Sequence, residues 1–157
     1  MAQISAPFSA WFARRGWTIH PHQQAMVDLA DAPALLLIAP TGGGKTLAGF
    51  LPTLADFAGD TPPGDGLHTL YVSPLKALAH DVQRNLLTPI DDIGLKVRVE
   101  TRSGDTPSDR KARQRAKPPH VLLTTPESLS LLLSYPESAT MFAGLKRVII
   151  DEVHAFA

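Results

Sequence analysis

Three consecutive glycines followed by lysine and threonine restrict the folds open to this chain more than any other segment of its sequence. The segment APTGGGKT, Ala39 to Thr46, follows the apolar run Leu35 to Ala39. Glycines let the backbone curl so that several N–H groups point inward, and a helix that begins directly afterwards adds the positive end of its dipole. This strand, turn and helix are typical of a loop that binds phosphate groups. The alternative is a glycine-rich turn followed by an incidental lysine.

The side chains that end this loop predict a nucleoside triphosphate and Mg²⁺ as ligands. Lys45 is expected to neutralise the β- and γ-phosphates, and Thr46 to place its hydroxyl on Mg²⁺. The loop departs from the general pattern GxxxxGK[ST] because Ala39 replaces the first glycine. The residues predicted to bind ATP here are Ala39, Pro40, Thr41, Gly42, Gly43, Gly44, Lys45 and Thr46.

A second segment, RVIIDEVH from Arg147 to His154, predicts the catalytic half of the same site. Its apolar residues indicate a buried strand, and open α/β sheets bind ligands where such strands end. Asp151 is expected to hold Mg²⁺, and Glu152 to orient and deprotonate the water that attacks the γ-phosphate. Two adjacent carboxylates repel each other unless a metal and a lysine are near, so the pair fits a site that also contains Lys45. Lys45, Asp151 and Glu152 are the predicted catalytic residues.

The rest of the chain alternates strand and helix patterns, which predicts an α/β fold with a parallel sheet and helices on both faces. Two helices are expected before the first strand, so that residues 1–33 form an N-terminal helical segment and residues 34–157 the sheet domain. The predicted helices are 8–15, 21–30, 46–58, 76–93, 108–115 and 127–134. The predicted strands are 35–39, 69–73, 96–101, 120–124 and 147–151.

Charge is distributed unevenly, although 15 basic and 15 acidic residues give a formal net charge of zero. Residues 96–117 contain eight basic and three acidic residues, an excess of five positive charges. This stretch is either a solvated helix face or a surface that binds phosphates, and both interpretations stay open for Arg113 and Arg115. The chain has no cysteine and no apolar run long enough for a bilayer, which favours a cytoplasmic protein without a membrane segment.

Two short polar motifs follow predicted strands. Ser73 to Leu78 (SPLKAL) comes after the second strand, and Thr124 to Leu129 (TTPESL) after the fourth. Hydroxyls, N–H groups at helix starts and one lysine can bind the phosphates of a single strand without reading its bases. Each motif is also a good helix start, with Ser73 or Thr125 as N-cap and a proline in the first turn.

These motifs, in this order, resemble the superfamily 2 helicases of the DExH type, over nearly the whole chain. The segments HTLYVSPLKALAHDV, VETRSGDTPSDR and PPHVLLTTPESLSLLL are similar to the large helicase-related (Lhr-type) proteins, above all to the bacterial ligase-associated DExH-box helicases of the DNA-damage response. The resemblance implies a RecA-like domain in which Gln23 reads adenine and His154 couples the nucleotide site to a second motor domain. The nucleic-acid contacts it implies are Ser73, Pro74, Lys76, Arg102, Gly104, Asp105, Thr125 and Pro126.

The resemblance also implies an ATP-dependent DNA helicase that acts in repair, with single-stranded DNA, RNA or a hybrid as substrate and a DNA ligase as partner. Because the sequence ends five residues after Glu152, we expect the N-terminal fragment of a longer helicase, slow or inactive without its second RecA-like domain. A nucleotide- or strand-binding module without turnover, an RNA helicase of the DExH group and a P-loop phosphotransferase are the alternatives.

Overall fold

The structure, a computed structural model, describes residues 4–40, 42–74 and 76–156. The helices are α1 Ala6–Arg14, α2 Pro21–Asp28, α3 Lys45–Ala58, α4 Lys76–Ile93, α5 Ser108–Ala116, α6 Pro126–Leu133 and α7 Ser138–Met141. The strands are β1 Thr69–Val72, β2 Val99–Arg102, β3 Val121–Thr124 and β4 Arg147–Ile150, and a 3₁₀ turn follows at Val153–Phe156. The described chain divides into two compact units, one from Met1–Pro63 and Thr88–Lys96 and one from Gly64–Leu87 and Val97–Ala157.

The second unit contains a parallel four-stranded sheet in the order β2-β3-β1-β4. All three strand pairs are parallel, so all four strands end at the same edge. Across that edge Arg102 lies beside Thr124, Thr124 beside Val72, and Val72 beside Ile150. The residues that follow these four therefore lie next to one another in the same order.

The core of the second unit lies between this sheet and the helices α6 and α7. Its members are apolar side chains from the strands and from both helices: Leu67, Leu70, Val72, Leu122, Leu132 and Met141, with Leu129, Phe142 and Leu145 packed against them. Burial of this kind is the main source of stability in a domain of this size. The core holds the sheet rigidly, and with it the polar residues at its carboxyl edge.

The first unit is helical. Helices α2 and α3 pack against each other, and the buried aromatic residues Phe8, Trp11 and Phe12 come from α1. Helix α1 ends at Arg14, and Gly16, two residues later, has a φ of 66°. The Gly16 N–H donates to the Ala13 carbonyl and the Trp17 N–H to the Phe12 carbonyl, both at 3.0 Å, as is common after a helix end.

The α/β architecture is confirmed, and four of the five predicted strands form within a few residues of the expected positions. The prediction of a strand at residues 35–39 is wrong. The segment has no strand pairing, and Leu36 and Ile38 are 77% and 85% exposed. An apolar run becomes a strand only when a neighbouring strand takes its backbone hydrogen bonds. No such neighbour exists among the described residues of the first unit. In the described part of the chain, no helix is long and apolar enough to cross a bilayer.

Candidate functional site

The glycine-rich loop of the first unit has the backbone of an anion-binding turn. Gly42 and Gly44 have φ values of 80° and 70°, which L-residues with side chains rarely adopt, and Gly44 is the N-cap of α3. Lys45 is the first residue of that helix and is exposed, while Thr46 is half-buried. The first N–H groups of a helix have no partner inside it, so this helix start offers donors and a lysine to a phosphate. Thr41 lies outside the described residues.

Helix α2 holds the loop from its carbonyl side. The His22 Nε2 atom lies 2.7 Å from the Gly43 carbonyl oxygen, and the Gln23 amide donates to the Gly44 carbonyl at 3.4 Å. A Cβ on Gly44 would lie 2.7 Å from Gln23 Nε2. The loop also closes on itself, because the Gly43 N–H donates to the Pro40 carbonyl at 3.1 Å. The Gly43 N–H is thus used within the loop, and α2 engages the Gly43 and Gly44 carbonyls. The N–H groups at the start of α3 and the Lys45 side chain are left for a ligand, and they fit the phosphates of ATP.

Gln23 serves α2 itself as well as the loop. Its side-chain oxygen accepts from the His20 backbone N–H at 3.0 Å, as the third residue of a capping box does, and the side chain is 3% exposed. The structure thus places Gln23 directly behind the phosphate-binding loop. The sequence did not predict the His22 contact, because only Gln23 of this segment was given a role and the partner of His22 is a backbone atom 21 residues away.

At the carboxyl edge of the sheet, the two Ser/Thr-Pro motifs lie after neighbouring strands, β1 and β3, as predicted. Ser73 is fully buried, and its N–H donates to the Thr124 carbonyl at 3.1 Å. Thr125 is 4% exposed and caps α6, where its hydroxyl accepts from the Ser128 N–H at 3.4 Å and Pro126 begins the helix. Pro74 is half-buried, and Lys76 begins α4 with a side chain outside the described residues. Both hydroxyls thus lie inside the protein, and the role of Thr125 as an N-cap is confirmed.

Arg102 was predicted to face nucleic acid, and the structure corrects this. The residue is 3% exposed, and its Nη1 atom donates to the Lys111 carbonyl at 3.0 Å and to Gln114 Oε1 at 3.3 Å. Burial, followed by repulsion from Arg115, lowers the pKa of the guanidinium. Arg102 therefore attaches the end of β2 to α5, a role that an arginine in a basic segment does not reveal in sequence. The turn after it leaves Gly104 and Asp105 exposed.

Most of the basic residues on α5 have partners within the protein. Arg113 forms two hydrogen bonds with the Glu100 carboxylate, at 2.9 and 2.8 Å, and the Arg115 guanidinium lies 4.0 Å from the centre of the Tyr135 ring. Burial raises the pKa of Glu100, but hydrogen bonds from Arg113 and Gln114 outweigh it and hold that pKa below its usual value. Arg110 and Lys117 are exposed. The basic stretch thus offers fewer cations to a ligand than its composition suggests.

After β4 the chain places Asp151 and Glu152 at the same edge. The Asp151 N–H donates to the Val72 carbonyl at 3.0 Å, and its carboxylate accepts from the Tyr71 hydroxyl at 2.8 Å and from the Glu152 N–H at 2.9 Å. Glu152 has a φ of 52°, the only positive φ of a non-glycine residue in the described chain. His154 is exposed, and its Nε2 atom lies 3.3 Å from Glu152 Oε2.

The Asp151 carboxylate is suited to Mg²⁺, which prefers one or two carboxylates together with water and phosphate oxygens. Clusters of three or more His, Cys, Asp or Glu side chains of the kind that bind zinc do not occur in the described ranges. The oriented single carboxylate therefore fits Mg²⁺ better than a metal that needs a full protein cage. Thr46, the other predicted ligand, belongs to the first unit.

Comparison with known proteins gives consistent matches. Residues 20–157 match the family model described as DEAD/DEAH box helicase. The ATP-dependent helicase Lhr-Core of Methanocaldococcus jannaschii is 39% identical over 97% of this chain and 20% of that protein. The Lhr helicase/probable uracil glycosylase of Mycolicibacterium smegmatis is 44% identical over 100% of this chain and 11% of that protein. The chain thus spans a fifth or less of the length of these curated relatives.

Solved structures agree with these matches. The structure of Mycobacterium smegmatis helicase Lhr bound to ssDNA and AMP-PNP has a TM-score of 0.88 and 41% identity, over 99% of this chain and 21% of that chain. The DUF1998 helicase MrfA bound to DNA and AMPPNP has a TM-score of 0.83 and 29% identity, over 99% of this chain and 22% of that chain. The fold is therefore that of a RecA-like helicase domain.

Proposed function

The chain belongs to the DEAD/DEAH box helicase family, and on this premise we propose that it is the ATP-binding motor domain of an ATP-dependent DNA helicase. The observation that carries the proposal is the loop before α3, where two left-handed glycines lead to an exposed Lys45 at the helix start. A loop of this shape offers N–H donors and one cation, which suits the phosphates of a nucleotide.

The proposed roles follow from the chemistry of each side chain. Ala39 to Thr46 enclose the phosphates, and Lys45 neutralises their charge. Gln23 supports this loop and is not proposed to contact the adenine, because its side chain is buried and its amide is bonded to the His20 N–H and the Gly44 carbonyl. Thr46 and Asp151 hold Mg²⁺, which supplies positive charge to the phosphate oxygens. Glu152 accepts a proton from the water that attacks the γ-phosphate. His154, beside Glu152, transmits the state of the nucleotide to a second RecA-like domain of the longer helicase.

Nucleic acid is proposed to bind at the carboxyl edge of the sheet. The motifs after β1 and β3 lie side by side there, and the exposed Gly104 and Asp105 follow β2 on the next strand. Pro74, Lys76 and Pro126 belong to the same edge, at helix starts where backbone N–H groups can bind phosphates. Single-stranded DNA is the proposed substrate, because the solved Lhr relative is a complex with ssDNA.

The cellular role is proposed on the resemblance of the motifs. The segments from His68 to Val82 and from Val99 to Arg110 are similar to those of ligase-associated helicases, which supports a function in DNA repair in the cytoplasm with a DNA ligase as partner. Disruption of the gene in its native host is expected to increase killing by a DNA-damaging agent. Unchanged survival would contradict the repair role without affecting the ATP site.

Nucleotide binding is tested with a fluorescent ATP analogue and Mg²⁺. Lys45→Ala removes the cation at the helix start, and we expect it to weaken binding by about tenfold or more, as loss of one charge-assisted phosphate contact does. Lys96→Ala removes an exposed lysine outside the loop and is the matched control. Equal affinities for wild type and Lys45→Ala would contradict the proposed nucleotide site.

Strand binding and turnover are tested separately. Binding of a single-stranded DNA oligonucleotide is measured over a salt series, and we expect log affinity to fall with log salt by about 0.7 for each phosphate neutralised. A slope near zero excludes phosphate binding at this edge, and tighter binding of an RNA of the same sequence favours the RNA-helicase alternative.

DNA-stimulated ATP hydrolysis that Glu152→Gln abolishes supports the motor function. If the wild type shows no DNA-stimulated ATP hydrolysis, the chain binds nucleotide or nucleic acid without turnover.

A further inference from the structure

Tyr71 is the most enclosed large side chain next to the Asp-Glu motif. It lies in β1, is fully buried, and donates a hydrogen bond of 2.8 Å to Asp151 Oδ2. The register of β1 and β4 pairs Tyr71 with Ile149, so Tyr71 and Asp151 project from the same face of the sheet. The two residues are 80 positions apart in sequence, and the pairing of β1 with β4 brings them together.

The Tyr71 hydroxyl is also linked to Ser73, the first residue of the motif after β1. Burial raises the pKa of the phenol, as does the Asp151 carboxylate, whereas a hydrogen bond with Ser73 lowers it. The Tyr71 hydroxyl thus has two side-chain partners, Ser73 and the Asp151 carboxylate, and it donates to the carboxylate.

The remaining oxygen of the carboxylate is fixed as well. Asp151 Oδ1 accepts from the Glu152 N–H at 2.9 Å, so one donor on each oxygen sets the rotation of the group. A carboxylate that ligates a metal depends on such outer partners, and their removal commonly lowers metal affinity by about 10- to 100-fold. Phenylalanine in place of Tyr71 fills the same volume but donates to neither oxygen.

We propose that Tyr71 is a positioning residue that orients the Asp151 carboxylate for Mg²⁺ and connects it to Ser73. This inference rests on the proposed function, in which Asp151 is a metal ligand. It gives the motif after β1 an influence on the metal site after β4 through two consecutive hydrogen bonds. The effect should decrease along the relay, because Ser73 acts on the carboxylate only through Tyr71.

The first experiment separates metal-dependent from metal-independent nucleotide binding. Affinity for the fluorescent ATP analogue is measured with Mg²⁺ and with EDTA for wild type, Tyr71→Phe and Ser73→Ala. We expect Tyr71→Phe to reduce the ratio of the two affinities about tenfold and Ser73→Ala about threefold. Tyr135→Phe removes the hydroxyl of the chain's other tyrosine and serves as matched control. Purely structural damage would weaken binding with Mg²⁺ and with EDTA equally. A Tyr71→Phe variant with the same ratio of the two affinities as the wild type overturns the proposal.

The second experiment needs no ligand and so does not depend on the nucleotide site. The chain is labelled with 3-fluorotyrosine, and the ¹⁹F resonance of residue 71 is assigned by its loss in Tyr71→Phe. We expect Asp151→Asn and Ser73→Ala each to shift this resonance while that of Tyr135 stays in place. If the wild type does not bind the nucleotide, the proposed function fails and this spectrum alone decides the relay. A resonance unmoved by both substitutions overturns it.

Discussion

Glu152 combines a proposed catalytic carboxylate with an unfavourable backbone. Its φ of 52° lies in the left-handed region, which costs an L-residue with a side chain about 1–2 kcal/mol. The Asp151 carboxylate accepts from the Glu152 N–H, and the 3₁₀ turn begins at the next residue. Strain of this kind is retained where the surrounding structure fixes it, often at functional sites. The backbone conformation that positions the Glu152 carboxylate thus lowers the stability of the fold.

Replacement of Glu152 by glycine should recover part of this cost. We expect the free energy of unfolding of Glu152→Gly to exceed that of Glu152→Ala by about 1 kcal/mol, because alanine keeps the Cβ that disfavours this backbone conformation. Both variants lack the proposed catalytic carboxylate, so they differ only in backbone freedom. Urea denaturation of the two chains gives the difference. A glycine variant less stable than the alanine variant would show that φ is relaxed in solution.

The residues of the site differ in how far the sequence can predict them. Lys45, Asp151 and Glu152 are predictable because their roles are tied to short motifs in which neighbours along the chain form the local geometry. Tyr71 and His22 are not, because their partners are 80 and 21 residues away and become neighbours only after the chain has folded. Arg102 misleads, since a buried and an exposed arginine in a basic segment look the same in sequence.

Helix α5 is attached to the sheet by polar rather than apolar contacts. Gln114 is fully buried, receives a hydrogen bond from Arg102, and donates to the Thr101 carbonyl at 3.1 Å and to Glu100 Oε2 at 3.0 Å. Such a network is stable only while every member has its partner. Arg102 and Gln114 therefore form the buried part of the attachment of α5 to β2, and the Arg113–Glu100 pair forms its more exposed part.

Removal of Arg102 should accordingly affect stability. We expect Arg102→Ala to lower the free energy of unfolding by about 2 kcal/mol, because it leaves the buried Gln114 oxygen without its donor. Arg110→Ala, an exposed position on the same helix, should change it by less than about 0.5 kcal/mol. Thermal and urea unfolding measure both. A neutral Arg102→Ala would mean that the burial of this guanidinium is unimportant for the fold.

Strand β3 begins beside a histidine whose neutral form the fold prefers. His120 is 7% exposed, and its Nδ1 atom accepts from the Arg98 N–H at 3.0 Å. Burial, followed by the positive charge of Arg98, lowers the pKa of His120, while Asp65 opposes this shift. Protonation therefore occurs more readily in the unfolded chain. The contribution to stability is complete above the ordinary histidine pKa near 6.5 and is lost as the pH falls below it.

The resulting pH dependence can be isolated with a substitution that keeps the acceptor. His120→Gln retains a side-chain oxygen for the Arg98 N–H but does not titrate. Below about pH 6.5 we expect the wild type to lose up to about 1.4 kcal/mol per pH unit more than the variant, until the folded-state pKa is reached. Urea denaturation at a series of pH values gives the two curves. Parallel curves would show that His120 titrates normally in the folded chain.

The sheet and its helices were predictable because hydrophobic runs and periodicity indicate regular elements, and four strands formed where the runs lay. The prediction that the strand before Asp151 is buried is wrong in part, because Val148 and Ile150 of β4 are about half exposed. The structure of segment 35–39 was not predictable, because its composition fits a buried strand, whereas strand formation also requires a neighbouring strand. Helix α7 was missed for the opposite reason. It has four residues, too few to show a helical period, and Met141 fixes it in the core.

The charge of the whole chain illustrates how composition and structure must be read together. Net charge is zero, yet residues 96–117 carry an excess of five positive charges. Within that stretch Arg102 is buried, Arg113 is paired with Glu100, and Arg115 is stacked on Tyr135. The positive charge that this stretch offers to a nucleic acid is therefore smaller than its excess of five charges suggests, but larger than the net charge of zero suggests.

The salt dependence of single-strand binding should follow the exposed cations only. We expect the double substitution Arg110→Gln and Lys117→Gln to reduce the slope of log affinity against log salt by up to about 1.4, since each phosphate contact on a single strand contributes about 0.7. Arg113→Gln should leave the slope nearly unchanged, because its charge is already neutralised by Glu100. Arg14→Gln, an exposed cation outside the basic stretch, is the matched control. A larger change in slope for Arg113→Gln than for the double variant would show that DNA displaces Glu100 and that the basic helix is rearranged on binding.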